Sequence, residues 1–210
     1  MGAGIGQAPA RQASLAAGLG VETPCTTLNK VCSSGLKSIV FGSQSIALGH
    51  THTVVTGGFE SMSKAPFLLF NTRKGTGFGH QQLYDAISYD GLQDAFNKMP
   101  MGNCAEKTAD DFKITREAQD QYCKLSYKRH IEAIKAGLLK DEIVNIKIKD
   151  KKTEEDFNED EEWKRCKEDK IASLAPAFSK TGTITAANSS KINDGACSLS
   201  TFFILFSSHV

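Results

Sequence analysis

The sequence predicts an α/β fold built on a layered core, and three observations carry that expectation. A β-favouring run at residues 26–31, apolar residues at helical spacing from Ser33 onward, and a second β-favouring run at Thr53-Val54-Val55-Thr56 succeed one another in the order of a βαβ unit. Residues 71–80 are rich in Gly, Thr and basic side chains, an irregular stretch that leaves the sheet and opens a different region. Regular patterning then returns at Thr183-Ile184-Thr185.

Each element has its own local signal. Residues 8–19 are alanine-rich with Pro9 near the first turn, which predicts a short helix stopped by Gly18 or Gly20. Gly2, Gly4 and Gly6 make no dinucleotide fingerprint, because no strand precedes them. Leu36, Ile39, Val40, Ile46 and Ala47 recur at helical spacing, so a helix is expected over 33–48 with its N-terminus at Cys32. Gly57-Gly58 reads as the turn closing the second strand. A short helix is expected over 103–112. A long one is expected over 115–136, with Thr115 as N-cap, Glu117 in the first turn and Gly137 at the stop. Residues 142–149 alternate in the manner of a half-buried strand, and the acidic stretch 150–162, with Phe157 as its one apolar anchor, reads as a solvated loop.

Composition narrows the function classes. A net charge of +1 with 40% hydrophobic and 23% charged residues gives no reason to expect nucleic acid or membrane as partner. The six cysteines are scattered without a CxxC pair, which favours reduced thiols. The N-terminal residues carry no secretory, transit or myristoylation pattern, and the longest apolar run, 202–206, is far below the ~20 residues that span a bilayer. His50 and His52 form an HxH without a third ligand at useful spacing, so no metal is assigned to them.

The residue that could carry chemistry is Cys32. A thiol is a good nucleophile only as thiolate, and the unpaired amides and positive dipole end of a helix N-terminus favour that anion. The same amides could hold an oxyanion or shape a turn that exposes the sulfur. Position alone leaves open the alternative of a small buried apolar cysteine.

The surrounding residues are more specific. Asn29-Lys30-Val31-Cys32-Ser33-Ser34-Gly35-Leu36-Lys37 resembles the nucleophile motif of the thiolase family, and Gly57-Gly58-Phe59-Glu60-Ser61-Met62-Ser63 resembles that family's second signature. Gly6 to Gln12, Met101 to Glu106, Gly182 to Ser190 and Asn193-Asp194-Gly195-Ala196 match in the same order. The pattern is most similar to the short-chain, mitochondrial members. A ketoacyl synthase would share the layers and the cysteine but not the 57–63 or 186–196 patterns.

The resemblance implies an N-terminal thiolase-fold αβα core, incomplete in this chain, with a large inserted α+β loop domain. It places the first core segment at 1–62, the loop domain at 63–180, a return to the core at 181–199 and a divergent tail at 200–210. It implies reversible condensation of two acetyl-CoA to acetoacetyl-CoA and coenzyme A through an acetyl-Cys32 intermediate. No prosthetic group is implied. Coenzyme A contacts fall on Tyr127, Arg165, Cys166, Lys167, Lys170 and Ser190, and a potassium site on Tyr127, Ala186, Ala187 and Ser189. Taken alone, Arg165 and Lys170 are ordinary solvated charges beside an acidic stretch. Homo-oligomerisation is implied, as is a mitochondrial location, with the cytoplasm as alternative.

Three departures accompany the resemblance. Pro100 stands where close relatives commonly carry a histidine, and the first strand and helix of the usual core have no counterpart. The family's activating histidine, second cysteine and asparagine have no matching motif either; His209 lies in an unrelated tail, expected to be mobile, and is no substitute. The competing expectation is therefore a non-catalytic chain that binds coenzyme A or pairs with a complete thiolase subunit.

Overall fold

A computed structural model describes residues 2–149 and 153–202. His209 and the apolar run beyond Phe202 lie outside the described residues, as do 150–152 of the acidic stretch. The chain divides into two compact units, one formed by Met1–Gln93 with Ile192–Val210 and the other by Asp94–Lys191. Segment 63–93 thus clusters with the first unit and 181–191 with the second.

In the first unit, helix α1 spans Pro9–Ala16 and α2 spans Ser34–Ala47, each with its expected sequence signal. Strand β1, Thr53–Ser61, runs straight through the glycine pair that reads in sequence as a turn. The reason is packing. A Cβ on Gly57 would run into the Cys197 carbonyl, and one on Gly58 would stand 3.3 Å from Gly35 Cα in α2. The two glycines let strand and helix backbones approach, and Ser38 Oγ bonds both the N–H and the C=O of Gly57 at 3.0 Å.

Among the described residues no ladder forms at 26–31, so the expected βαβ unit is replaced by an antiparallel ribbon. Local side chains take the amides that a ladder would use: Val31 N–H donates to Asn29 Oδ1 at 2.8 Å and Lys30 N–H to Ser34 Oγ at 2.9 Å. Strand β1 instead pairs with the strand Asp194–Phe202 in register from Thr53 opposite Phe202 to Ser61 opposite Asp194. After β1 in the sequence come a separate short ribbon, β2 at Phe67–Leu69 with β3 at Leu83–Asp85, and an aromatic trio of Phe70, Tyr84 and Tyr89 with centroids 5.2–5.5 Å apart. The stretch 71–80 is irregular, as its composition suggests.

The second unit begins with α3, Met101–Asp111, whose first turn is entered through Pro100. Helix α4, Arg116–Lys135, starts where the sequence indicates: Thr115 accepts a hydrogen bond from Ala118 N–H, and Gly137 takes φ 71° past the C-terminus. Strand β4, Ile146–Lys149, is exposed on both faces, unlike the half-buried strand expected, and the acidic stretch is more than a loop. Its residues Glu154–Phe157 form β5, antiparallel to β4, and Glu154 meets Lys147 at 3.2 Å and Lys149 at 3.4 Å. Opposite charges facing across the ribbon convert a solvated run into a strand. Helix α5 spans Glu162–Arg165 and a 3₁₀ turn covers Glu168–Ser173; the strand Asp194–Phe202, which belongs to the first unit, is β6. Thr183-Ile184-Thr185 makes only a single bridge, Thr185 to Pro176, because its amides are engaged by side chains instead. No helix among the described residues is long and apolar enough to cross a membrane.

Candidate functional site

Cys32 is exposed, two residues ahead of α2, which removes the buried reading that position alone leaves open. The turn that presents it is strained. Val31 adopts φ 51°, a left-handed conformation that a β-branched residue rarely takes. The turn is over-determined by its neighbours: Ser34 Oγ donates to Val31 C=O at 2.7 Å, while Ser33 and Ser34 amides donate to Lys30 and Val31 carbonyls at 3.1 Å. Strain held in this way at a nucleophile-like position is a feature of functional turns.

The second-unit site is a cavity of about 660 Å³ between α4, α5 and the loop 183–191. That loop is held from below by several polar partners. Glu106 of α3 accepts from the amides of Thr183 and Ile184 and from Thr183 Oγ1 at 2.8–3.0 Å. Burial opposes ionisation of Glu106, yet these hydrogen bonds outweigh it and hold the carboxyl below its ordinary value. Asn188 accepts from Thr185 N–H at 2.7 Å and donates to Asp120 at 3.3 Å. Asp120 is in turn paired with Arg116 at 2.7 Å, their side chains only 8% and 19% exposed. Arg116 also donates to the carbonyls of Ile171 and Leu174, which fixes the 3₁₀ turn onto α4.

Tyr127 of α4 reaches into the cavity and donates to Glu162 at 3.2 Å. Burial first, then the Glu162 charge and hydrogen bond, push its phenol up to about 12, so it stays a neutral donor. Ser189 Oγ donates to Thr185 C=O at 2.7 Å, and buried Cys123 lies with its Sγ 3.1 Å from Ala187 C=O. Burial also pushes the Cys123 and Cys166 thiols up, so neither has the character of a ready nucleophile.

Of the residues singled out in the sequence, the cavity brings together Tyr127, Ala187, Ser189 and Ser190. Ala186 adjoins it through its carbonyl, which accepts from Lys191. Arg165, Cys166, Lys167 and Lys170 do not line it; Arg165 pairs with Glu161 at 3.0 Å with 69% of its side chain exposed. Among the lining residues that sequence reasoning missed are Tyr122, His130, Asp160, Glu162, Trp163 and Lys191. The only advance signal was Trp163, the chain's single tryptophan, set at the end of the acidic stretch and just before Lys164 and Arg165, where charge alone gives little reason for a large aromatic ring. Its indole N–H is buried and finds no partner among the described residues. The cavity thus offers an aromatic wall, hydroxyls and main-chain carbonyls, the mixture suited to a partly apolar ligand oriented by a few polar contacts.

The family described as "Thiolase, N-terminal domain" matches residues 1–202. A "Probable acetyl-CoA acetyltransferase" of Dictyostelium discoideum is 52% identical over 198 residues, covering 94% of this chain and 48% of that protein. The mitochondrial acetyl-CoA acetyltransferase of Mus musculus is 50% identical over 198 residues, covering 93% of this chain and 46% of its own length. A thiolase from Ascaris suum crystallised in complex with coenzyme A superposes with a TM-score of 0.84 at 45% identity, covering 94% of this chain and 50% of that one. The chain spans about half the length of the curated relatives it matches.

Proposed function

Because the chain belongs to the thiolase family, we propose that Cys32 is the nucleophile of acyl transfer between coenzyme A thioesters. The exposed sulfur on a strained turn at the head of α2 is the observation that carries this reading. Cys32 Sγ would bond the acetyl carbonyl carbon as the thioester C–S bond breaks, and the departing coenzyme A thiolate takes up the proton that the cysteine gives up. A second acetyl-CoA, giving up a proton from its methyl carbon, would then bond that carbon to the acetyl carbonyl carbon as the Cys32 Sγ–acetyl bond breaks, the released cysteine thiolate regaining a proton, to yield acetoacetyl-CoA. In reverse, coenzyme A cleaves acetoacetyl-CoA.

The second-unit cavity is the proposed coenzyme A site, within what the family resemblance assigns to a loop domain at 63–180 returning to the core at 181–199. Tyr127 and Ser190 line it, and Trp163 and Tyr122 supply aromatic surface. Arg165, Cys166, Lys167 and Lys170 are proposed as flanking contacts, where the basic side chains would meet phosphate groups. The resemblance also implies a potassium position at Tyr127, Ala186, Ala187 and Ser189, an expectation opposed by the Lys191 ammonium seated on the Ala186 and Ser189 oxygens. The mitochondrial name of the Mus musculus relative supports a mitochondrial location, and homo-oligomerisation is proposed on the resemblance alone.

Exposure to acetyl-CoA followed by peptide mass spectrometry tests the nucleophile. The acetyl group is expected on Cys32 and is expected to be missing in Cys32→Ser. Acetyl spread evenly over Cys32 and the other exposed cysteine, Cys197, would sink the assignment. A second reading, of residues 1–210 taken by themselves, is that they bind coenzyme A without turning over, because they match the family's N-terminal domain and span about half the length of the curated relatives. Positioned general acids and bases contribute ~10²–10⁴-fold each. The 210-residue chain assayed alone is therefore expected to bind coenzyme A but not to cleave acetoacetyl-CoA. Robust cleavage that vanishes in Cys32→Ser would overturn this second reading and uphold the first.

A further inference from the structure

Lys191 turns back onto its own loop. Its ammonium donates to the main-chain oxygen of Ala186, lies 3.5 Å from that of Ser189, and stands 3.5 Å from Glu162 Oε1. Glu162 Oε1 is the same oxygen that accepts the Tyr127 hydroxyl. The lysine side chain is only 27% exposed and that of Glu162 34%. Two neutral carbonyls and one carboxylate therefore converge on one point with the three donors that an ammonium can offer. All of these residues belong to the Asp94–Lys191 unit.

The potassium position implied by family resemblance falls on this same loop, so its residues can be tested for fit. The donors are of the right kind, since hard cations take oxygen ligands and main-chain carbonyls suit them. The vacancy is what does not fit. A cation of this chain already takes the Ala186 and Ser189 oxygens, and a metal ion brought to them would stand against a like charge in a half-buried setting.

We propose that the Lys191 ammonium is the resident cation of this loop and that the cavity takes no potassium ion. Lys191 is then a positioning residue: it ties the 186–189 carbonyls to Glu162 and thereby sets where Glu162 accepts the Tyr127 hydrogen bond. The inference needs neither coenzyme A nor turnover, so its failure and the failure of the proposed function are separable.

Thermal unfolding of the full chain in KCl, NaCl and choline chloride at equal ionic strength tests it, with no coenzyme A added. Wild type is expected to melt at the same temperature in all three. Lys191→Ala, with the carbonyls freed, is expected to melt lower in choline and to gain on the order of 2–4 °C in KCl alone, as ligand linkage predicts for a site that has become vacant. A potassium-specific rise in the wild type would overturn the proposal, and so would a variant indifferent to potassium. If Lys191→Ala fails to fold, Lys191→Met, which keeps the apolar stem, serves as the variant. The wild-type comparison stands whichever variant is used.

Discussion

The two units of this chain are held together by different means. In the first, the ordering comes from backbone: a nine-residue antiparallel ladder between β1 and β6, glycines that let α2 lie close to β1, and a carboxylate, Asp194, that accepts from the Ser61 hydroxyl at 3.0 Å and the Ser63 amide at 2.9 Å. Large apolar side chains of that ribbon remain exposed, among them Val55, Phe59, Leu199 and Phe202. In the second, ordering comes from polar side chains threaded among loops, with Glu106, Asp120 and Asn188 each serving several main-chain or side-chain partners. A ladder positions a helix end and the residue ahead of it. Side-chain networks instead position an irregular loop whose carbonyls and hydroxyls face a cavity.

The largest test of that contrast is Asp120→Ala. It strands the Arg116 guanidinium, whose side chain is 19% exposed, and removes an acceptor from Asn188. Breaking a buried pair in this way costs about 3–5 kcal/mol. Hydrogen exchange is expected to show the loss first in α4 and the 183–191 loop, with β1 and β6 amides less affected. Equal loss in both units would show that they share one stability.

The converse change strikes the ladder. In Gly57→Ala the new methyl meets the Cys197 carbonyl, with Ser198 Cα 3.1 Å away. Overpacking of this kind costs about 1–3 kcal/mol, and denaturant unfolding should place it near 2–3 because a neighbouring backbone, not a flexible side chain, must yield. A neutral result would mean that the ribbon is loose enough to open at this point.

Glu106→Gln probes the network through pH. The folded chain holds the Glu106 carboxyl below its ordinary value of 4.5, so its contribution is fully present above that value and is lost as pH falls through the lower, folded one. The variant is expected to be about 1–2 kcal/mol less stable at neutral pH, and the gap from wild type should close on acidification below about pH 4.5. A gap unchanged down to pH 3 would show that packing, not charge, makes the difference.

The smallest effect belongs to a signal that is purely local. Thr115→Ala removes the acceptor for Ala118 N–H and is expected to cost about 1 kcal/mol in thermal unfolding, with Thr115→Ser restoring most of it. Failure of the serine to rescue would point to the methyl group instead of the cap.

What the sequence determined by itself was whatever depends on nearest neighbours along the chain. Helix α4 with its Thr115 cap and Gly137 stop, α2 beginning just after Cys32, and the irregular 71–80 stretch all follow from spacing and termini that act within one or two turns. What only the tertiary structure decided depends on partners far away in sequence. The Gly57-Gly58 pair reads as a turn until β6, some 140 residues on by the register of Gly57 with Ser198, supplies the ladder that makes it mid-strand. Residues 26–31 have strand propensity, but Asn29 and Ser34 take their amides first. The acidic run becomes β5 only because Lys147 and Lys149 face it, and Lys191, an unremarked basic residue in the sequence, gains its place only where Ala186, Ser189 and Glu162 converge. A charge has no assigned partner until the fold sets the distance, because Coulomb attraction and hydrogen bonding depend on separation in space and not on order along the chain.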